Sequence, residues 1–109
     1  MTDTANRVRA LNDRARQSFQ GCRVAITAGI AALGHDAVYE IFARIKTYDD
    51  FTPNNDPYNE HDFGSFQHKG MTIFWKFDYY DLDLSMHSLD ASDASITARV
   101  LTVMLADEY

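Results

Sequence analysis

The sequence predicts an α+β fold in which a small antiparallel sheet of about three strands packs with helices, in the order α-β-α-β-β-α. Three observations support this prediction: apolar residues recur at helical spacing near the amino terminus, two strand-like runs flank a Lys-Gly pair, and a last apolar run follows a capping residue. No internal repeat and no linker rich in Gly, Ser or Pro divides the 109 residues. We therefore expect a single acidic domain over residues 1–109.

The first part of the chain predicts two helices and one strand. The first helix is amphipathic and ends at Gly21, and residues 23–27 form a short apolar run that predicts a strand. After a turn bracketed by Gly29 and Gly34, Asp36 is the expected N-cap of the second helix. The apolar residues at helical spacing are Val8, Leu11, Ala15 and Phe19 in the first helix, and Val38, Ile41, Phe42 and Ile45 in the second.

A hairpin is predicted in the middle of the chain, with strands at residues 63–68 and 71–80 joined by a turn at Lys69-Gly70. Because successive side chains of a strand point to opposite faces, the second strand has two distinct faces. The apolar face, which we expect in the core, consists of Met71, Ile73, Trp75, Phe77 and Tyr79. The other face mixes aromatic and charged groups and is a candidate binding surface: Thr72, Phe74, Lys76, Asp78 and Tyr80.

The carboxyl-terminal segment predicts a last helix that begins at an N-cap, Asp93, after a polar loop and runs to about Glu108. Its apolar residues lie on more than one side of the helix: Ile96, Val100, Leu101, Val103, Met104 and Leu105. Such a helix is either deeply buried or contacts a second copy of the chain. Burial is the default expectation, and a homodimer through this helix is the alternative.

The formal net charge of −6 is unevenly distributed. Residues 1–46 hold seven Lys/Arg and four Asp/Glu, whereas residues 47–109 hold three Lys/Arg and twelve Asp/Glu, a balance of −9. The second part repels phosphate groups, so we expect a basic protein as the partner and no direct binding of nucleic acid.

Location is predicted from cysteine usage and from the apolar runs. A single cysteine, Cys22, excludes an internal disulfide framework and is typical of a reducing cytoplasm. The amino terminus lacks the apolar core of a signal peptide. The longest apolar run, residues 24–34, is shorter than the roughly 18–20 residues that a membrane helix needs. We expect a cytoplasmic protein without membrane contact.

The turn-rich segment at residues 54–64 contains three carboxylates and a histidine: Asp56, Glu60, His61 and Asp62. In a structural interpretation, hydrogen bonds of the Asx type between side chains and backbone hold this loop, and His61 has a packing or capping role. In a second interpretation the loop is an acidic surface for a partner. In a third, Glu60, His61 and Asp62 bind a metal or act as acid and base. An extended backbone would turn His61 away from the two carboxylates, and no established spacing such as H-E-x-x-H is present.

Other candidate groups are carboxylates near the hairpin and isolated nucleophiles. Asp78, Asp81 and Asp83 fit either a basic groove or an ordinary solvated face. Cys22 has no neighbouring histidine in the sequence, and no serine lies in a nucleophile-elbow motif. We therefore assign no catalytic residue and expect no cofactor.

Six segments carry a family resemblance: Asn12-Asp13, Asp56-Pro57, Glu60-His61-Asp62-Phe63-Gly64, Phe74-Trp75-Lys76, Asp78-Tyr79-Tyr80-Asp81 and Arg99-Val100-Leu101-Thr102. Together they resemble a family of small bacterial proteins of unknown function, widespread in alphaproteobacteria and often encoded on plasmids and other mobile elements. The resemblance covers roughly residues 12–109. Asn59 replaces a glycine of the family pattern, which indicates a left-handed backbone position, and residues 89–95 lack its prolines. The resemblance implies no catalytic residues, but it implies a context of accessory factors and inhibitors of host defence.

The leading hypothesis is a non-enzymatic acidic protein that inhibits a nucleic-acid-binding host-defence machine, in the manner of anti-CRISPR or anti-restriction proteins. As a DNA mimic, it would place carboxylates and aromatic rings in a groove built for phosphates. The expected contact residues are Asp49, Asp50, Asp56, Glu60, Asp62, Phe74, Asp78, Tyr80, Asp81 and Asp83. The alternatives are a small metal-assisted enzyme that uses Glu60, His61 and Asp62, and a homodimeric regulatory module.

Overall fold

The computed structural model describes residues 2–109, which form three α-helices, four strands and a short 3₁₀ helix. The elements are α1 (Asp3–Ser18), β1 (Arg23–Ile26), α2 (Ala28–Ala31), α3 (His35–Lys46), β2 (Phe63–His68), β3 (Met71–Tyr80), β4 (Ala98–Leu105) and the 3₁₀ helix (Ala106–Glu108). One mixed sheet has the strand order β1-β4-β3-β2, with β1 parallel to β4 and the other neighbours antiparallel. The predicted α+β class is confirmed. None of the helices within residues 2–109 is long and apolar enough to cross a membrane.

The prediction of a last helix is wrong, because residues 98–105 form strand β4 in the interior of the sheet. Leu101 and Val103 are buried beneath the helices, and Met104 is buried on the opposite face. A central strand is buried on both faces, so its sequence is a nearly continuous run of apolar residues. A buried helix can have the same kind of run, and hydrophobic periodicity does not distinguish the two. A homodimer through a carboxyl-terminal α-helix therefore loses its basis, since the part of the chain described here has no such helix.

Two predicted helix caps also differ from the structure. Asp93 accepts hydrogen bonds from the backbone N–H and the hydroxyl of Ser95, so it closes a turn and does not begin a helix. Helix α3 has Gly34 as its N-cap, with φ of 94°, and Asp36 lies in the first helical turn. A carboxylate in that turn still interacts favourably with the helix dipole, which explains why the local sequence suggested a helix start nearby.

The hairpin of β2 and β3 agrees with the prediction. Lys69 and Gly70 both have positive φ, 49° and 82°, as a two-residue type I′ turn requires. This turn fixes the register, which pairs His68 with Met71 and Phe63 with Lys76.

The helices lie on one face of the sheet. Residues of all three α-helices join the core with Ile73, Trp75 and Phe77 of β3, as the alternation of that strand predicts; these helix residues are Ala15, Ile30, Ile41 and Ile45. The opposite face is covered by none of these three helices; Met104 of β4 is buried on it, whereas its side chains on β3 are half-buried. We call it the open face and define it by Phe63, Phe74, Lys76, Asp78 and Tyr80.

Candidate functional site

Asp56 holds the loop between α3 and β2 in its folded form. Its Oδ1 atom accepts hydrogen bonds from the backbone N–H groups of Glu60 and His61, both at 3.1 Å, and the residue is only 5% exposed. Asn59 and His61 have positive φ, 55° and 53°, and Asn59 thus has the left-handed backbone that the family pattern indicated. The Asp56 carboxylate is directed inward, so it is not part of the surface that a partner can contact.

His61 connects this loop to α1. Its Nδ1 atom lies 2.8 and 3.1 Å from the two carboxylate oxygens of Asp13, and its Nε2 atom lies 3.6 Å from Oδ2 of Asp56. The imidazole stacks on Phe51 with 3.7 Å between ring centroids, and Arg16 forms an ion pair with Asp13 at 3.0 Å. The histidine therefore hydrogen-bonds to Asp13 and lies close to a second carboxylate, Asp56, which is far from Asp13 in the sequence.

The alternative metal set Glu60, His61 and Asp62 is not assembled as a group. Both ring nitrogens of His61 face Asp13 and Asp56, which leaves neither nitrogen directed at Glu60 or Asp62. Within residues 2–109, no group of three or more His, Cys, Asp or Glu side chains has an arrangement that could hold a metal ion.

A second network under α1 was not predicted from local sequence. Asn12 is fully buried, and its side-chain amide donates hydrogen bonds to the Tyr79 hydroxyl at 2.8 Å and to the Glu60 carbonyl at 3.0 Å. Its Oδ1 atom accepts a hydrogen bond from Nε of Arg99 at 2.8 Å. Asn12 and Arg99 both belong to the segments that carry the family resemblance, which was the signal available in the sequence. They tie α1, the loop, β3 and β4 together.

Glu60 and Asp62 remain as half-buried carboxylates outside every ion pair of residues 2–109. Burial raises the pKa of Glu60, and the charges of Asp62 and Asp56 raise it further. Burial is also the largest cause of the raised pKa of Asp62. The negative charges of Asp56 and Asp78 raise this pKa further. Negative charge is therefore concentrated where the loop enters the sheet, and it has a free energy cost for folding.

We expect the double variant Glu60→Gln/Asp62→Asn to be more stable than the wild type near neutral pH, by about 0.5 kcal/mol or about 2–4 °C in Tm. The raised pKa values mean that the folded protein holds these protons more tightly than the unfolded chain does. Both carboxyls are largely protonated in both states below about pH 3, so the gain nearly disappears there and grows as pH rises through the raised values. Thermal unfolding across this range measures it, and a less stable variant at neutral pH would contradict it.

The open face combines aromatic rings with one ion pair. Lys76 and Asp78 are joined at 2.9 Å, and this hydrogen bond raises the pKa of Lys76. The rings of Phe63 and Phe74 meet edge to face at 5.1 Å, and the Tyr109 ring packs on Phe74 at 5.7 Å. This surface has an apolar centre and a charged margin, which is the composition of many protein-binding patches.

The remaining predicted contact residues divide into two groups. Asp81 accepts hydrogen bonds from the backbone N–H and the hydroxyl of Ser85, so it closes a turn beyond the open face, where Asp83 is exposed. Asp49 and Asp50 are exposed elsewhere, where they line a cavity with Arg44 of α3 and the β2 edge. The fold therefore does not gather all the predicted carboxylates onto one surface.

The segment between β3 and β4 was expected to be a polar loop, but it exposes apolar side chains. Leu82, Met86 and Leu89 are 62%, 71% and 97% exposed. A short antiparallel bridge between Tyr80 and His87 holds the first part of this loop next to the open face. The apolar residues between Asp81 and Asp90 were the signal in the sequence, and they extend the candidate surface with apolar contact area.

A protein-family model matches most of the chain. The family model described as "Protein of unknown function (DUF3768)" covers residues 26–108, which include the loop at residues 54–64, the open face and β4. No curated protein and no solved structure matches the chain. The chain therefore belongs to the DUF3768 family of proteins of unknown function.

Proposed function

We propose that this chain is a non-enzymatic binding protein whose open face and neighbouring carboxylates occupy a basic surface of a nucleic-acid-binding protein. The observation that carries the proposal is the open face itself: none of the three α-helices covers it, and its aromatic rings are only half-buried. Asp62, which forms no ion pair among residues 2–109, lies close enough to Asp78 of this face for the two charges to interact. An acidic surface with an apolar centre favours fast association with a basic partner through charge and slow dissociation through apolar contacts.

The finer proposal is that binding inhibits a host-defence machine of the anti-CRISPR or anti-restriction kind in the cytoplasm. The support is chemical. A groove that binds nucleic acid is lined with Lys and Arg to neutralise phosphates, and residues 47–109 have a formal charge of −9. Asp62, Asp78 and Asp83 are the carboxylates that we assign to this contact, with Phe74 and Tyr80 as its apolar part. Asp56 is left out because its side chain is buried.

We expect the triple variant Asp62→Asn/Asp78→Asn/Asp83→Asn to bind the partner at least tenfold more weakly than the wild type, since it removes the three negative charges that we assign to the contact. Both proteins would be used to capture partners from a nuclease-treated alphaproteobacterial lysate, and affinities would then be measured with the purified partner. Raising the salt from about 50 mM to about 500 mM should weaken wild-type binding steeply. DNA should compete with the wild-type protein for the partner. The wild-type protein should also inhibit the cleavage of DNA by that partner.

The matched control replaces three exposed carboxylates on the helices, as Asp3→Asn/Asp36→Asn/Glu40→Gln, and has the same net charge as the site variant. It should bind like the wild type if position matters, and like the site variant if only total charge matters. Equal capture by all three proteins, or an affinity that does not change with salt, would refute the proposal.

A further inference from the structure

Arg99 is a buried cation without an acidic partner. It is 3% exposed and lies at the beginning of β4 beneath α1. Its guanidinium packs over the Tyr79 ring at 5.0 Å and donates to the side-chain oxygen of Asn12 and the carbonyl oxygen of Ala91. None of the ion pairs among residues 2–109 includes Arg99, and the charge of Glu60 reaches it only from beyond ion-pair distance.

A buried charge of this kind is expensive unless an opposite charge or a full set of hydrogen bonds compensates it. Burial lowers the pKa of Arg99, as expected for a partly compensated cation. The Nε and Nη2 atoms of Arg99 donate to neutral oxygens, those of Asn12 and Ala91. No described residue accepts a hydrogen bond from the two N–H groups of the Nη1 atom. Nη1 is not one of the fully enclosed atoms without a partner, so it retains some contact with open space.

The open space is a cavity of about 430 Å³ between α1, the turn that follows it and the segment before β4. Its lining residues are Leu11, Arg14, Gln20, Gly21, Ala94, Thr97 and Arg99. Arg14 is exposed and takes part in no ion pair of the described chain. The cavity is therefore lined by two guanidinium groups and by no carboxylate, in a chain with 16 Asp and Glu residues.

We propose that this cavity binds the carboxylate or phosphate group of a small molecule between the guanidinium groups of Arg99 and Arg14. Guanidinium donates strong, charge-assisted hydrogen bonds to both kinds of oxyanion. The volume falls within the range of small-molecule sites and exceeds what a bare inorganic anion fills. Gln20 offers a polar contact and Leu11 an apolar one for the rest of the ligand. This site does not include the open face, so it stands independently of the proposed function.

The test is an NMR titration of the ¹⁵N-labelled full chain with inorganic phosphate and, separately, with succinate, both at constant ionic strength. We expect saturable shifts of the Gly21, Ala94 and Thr97 amides and of the Arg99 Nε–H signal. Saturation by phosphate alone identifies a phosphate site, and saturation by succinate alone identifies a carboxylate site. Saturation by both identifies a general oxyanion site. Shifts that never saturate, or that sodium chloride reproduces, would overturn the proposal.

The variant Arg14→Gln should bind the same probe about tenfold more weakly, because one charge-assisted contact is lost. Arg7→Gln is the matched control, since Arg7 is an exposed arginine of the same helix that does not line the cavity. Equal affinities of Arg14→Gln and the wild type would also overturn the proposal. Arg99 itself is not the primary variant, because its hydrogen bonds to Asn12 and Ala91 make it part of the fold.

Discussion

Replacing Asn12 by alanine is expected to lower the free energy of unfolding by about 3 kcal/mol or more. The change removes three hydrogen bonds from a fully buried side chain, and they hold Arg99, Tyr79 and the Glu60 carbonyl. It also leaves the buried Arg99 cation with one fewer acceptor. Urea unfolding would measure the loss, and Tm should fall by about 15 °C or more for a domain of this size.

Gln17→Ala is the matched control for this prediction. Gln17 is also an amide residue of α1, but its side chain is exposed, so the change should alter stability by less than about 0.5 kcal/mol. If Asn12→Ala unfolds at the same urea concentration as Gln17→Ala, the buried network does not stabilise the fold as proposed.

Gly64→Ala is expected to have an effect of similar size for a steric reason. A Cβ atom at position 64 would lie 2.3 Å from Nε1 and 2.4 Å from Cε2 of the Trp75 indole. Trp75 is enclosed by other rings, with Tyr48 at 5.4 Å and Phe77 at 6.1 Å between centroids, so the indole has little room to move. We expect a loss of about 3 kcal/mol, or failure to fold, measured by urea unfolding and by the tryptophan fluorescence of the folded state.

Gly21→Ala separates this steric effect from the general effect of removing a glycine. Gly21 has φ of 74°, but no atom lies within 4 Å of its added Cβ, so only backbone strain of about 1 kcal/mol is expected. Equal losses for the two variants would show that the contact with Trp75 is not the cause.

In the loop at residues 54–64, some side chains stabilise the fold and others remain available for contact with a partner. Asp56 and His61 use their side chains within the fold, to hold the backbone and to bridge to Asp13. Glu60 and Asp62 are left as carboxylates outside the ion pairs of the described chain, with raised pKa values. Carboxylates that reduce stability indicate a candidate functional site, because functional surfaces often retain groups that are unfavourable for folding.

The hairpin shows how much local sequence predicts. Lys69-Gly70 specifies a tight turn, and the alternation of β3 then decides which side chains are buried, so both predictions agree with the structure. Residues 98–105 show the limit. Their apolar residues indicate burial, but the choice between helix and strand depends on β1 and β3 as pairing partners, and no pattern within the segment contains that information.

The sequence by itself determined the α+β class, the hairpin and the separation of charge along the chain, because these depend on composition and on spacings of a few residues. Only the tertiary structure decided what the polar residues do. His61 bonds to a carboxylate 48 positions away, and Arg99 bonds to an amide 87 positions away. Such pairs form because a buried polar group must find a partner wherever the fold supplies one. For the same reason, only the structure shows that the Nη1 nitrogen of Arg99 has no hydrogen-bond partner among the described residues.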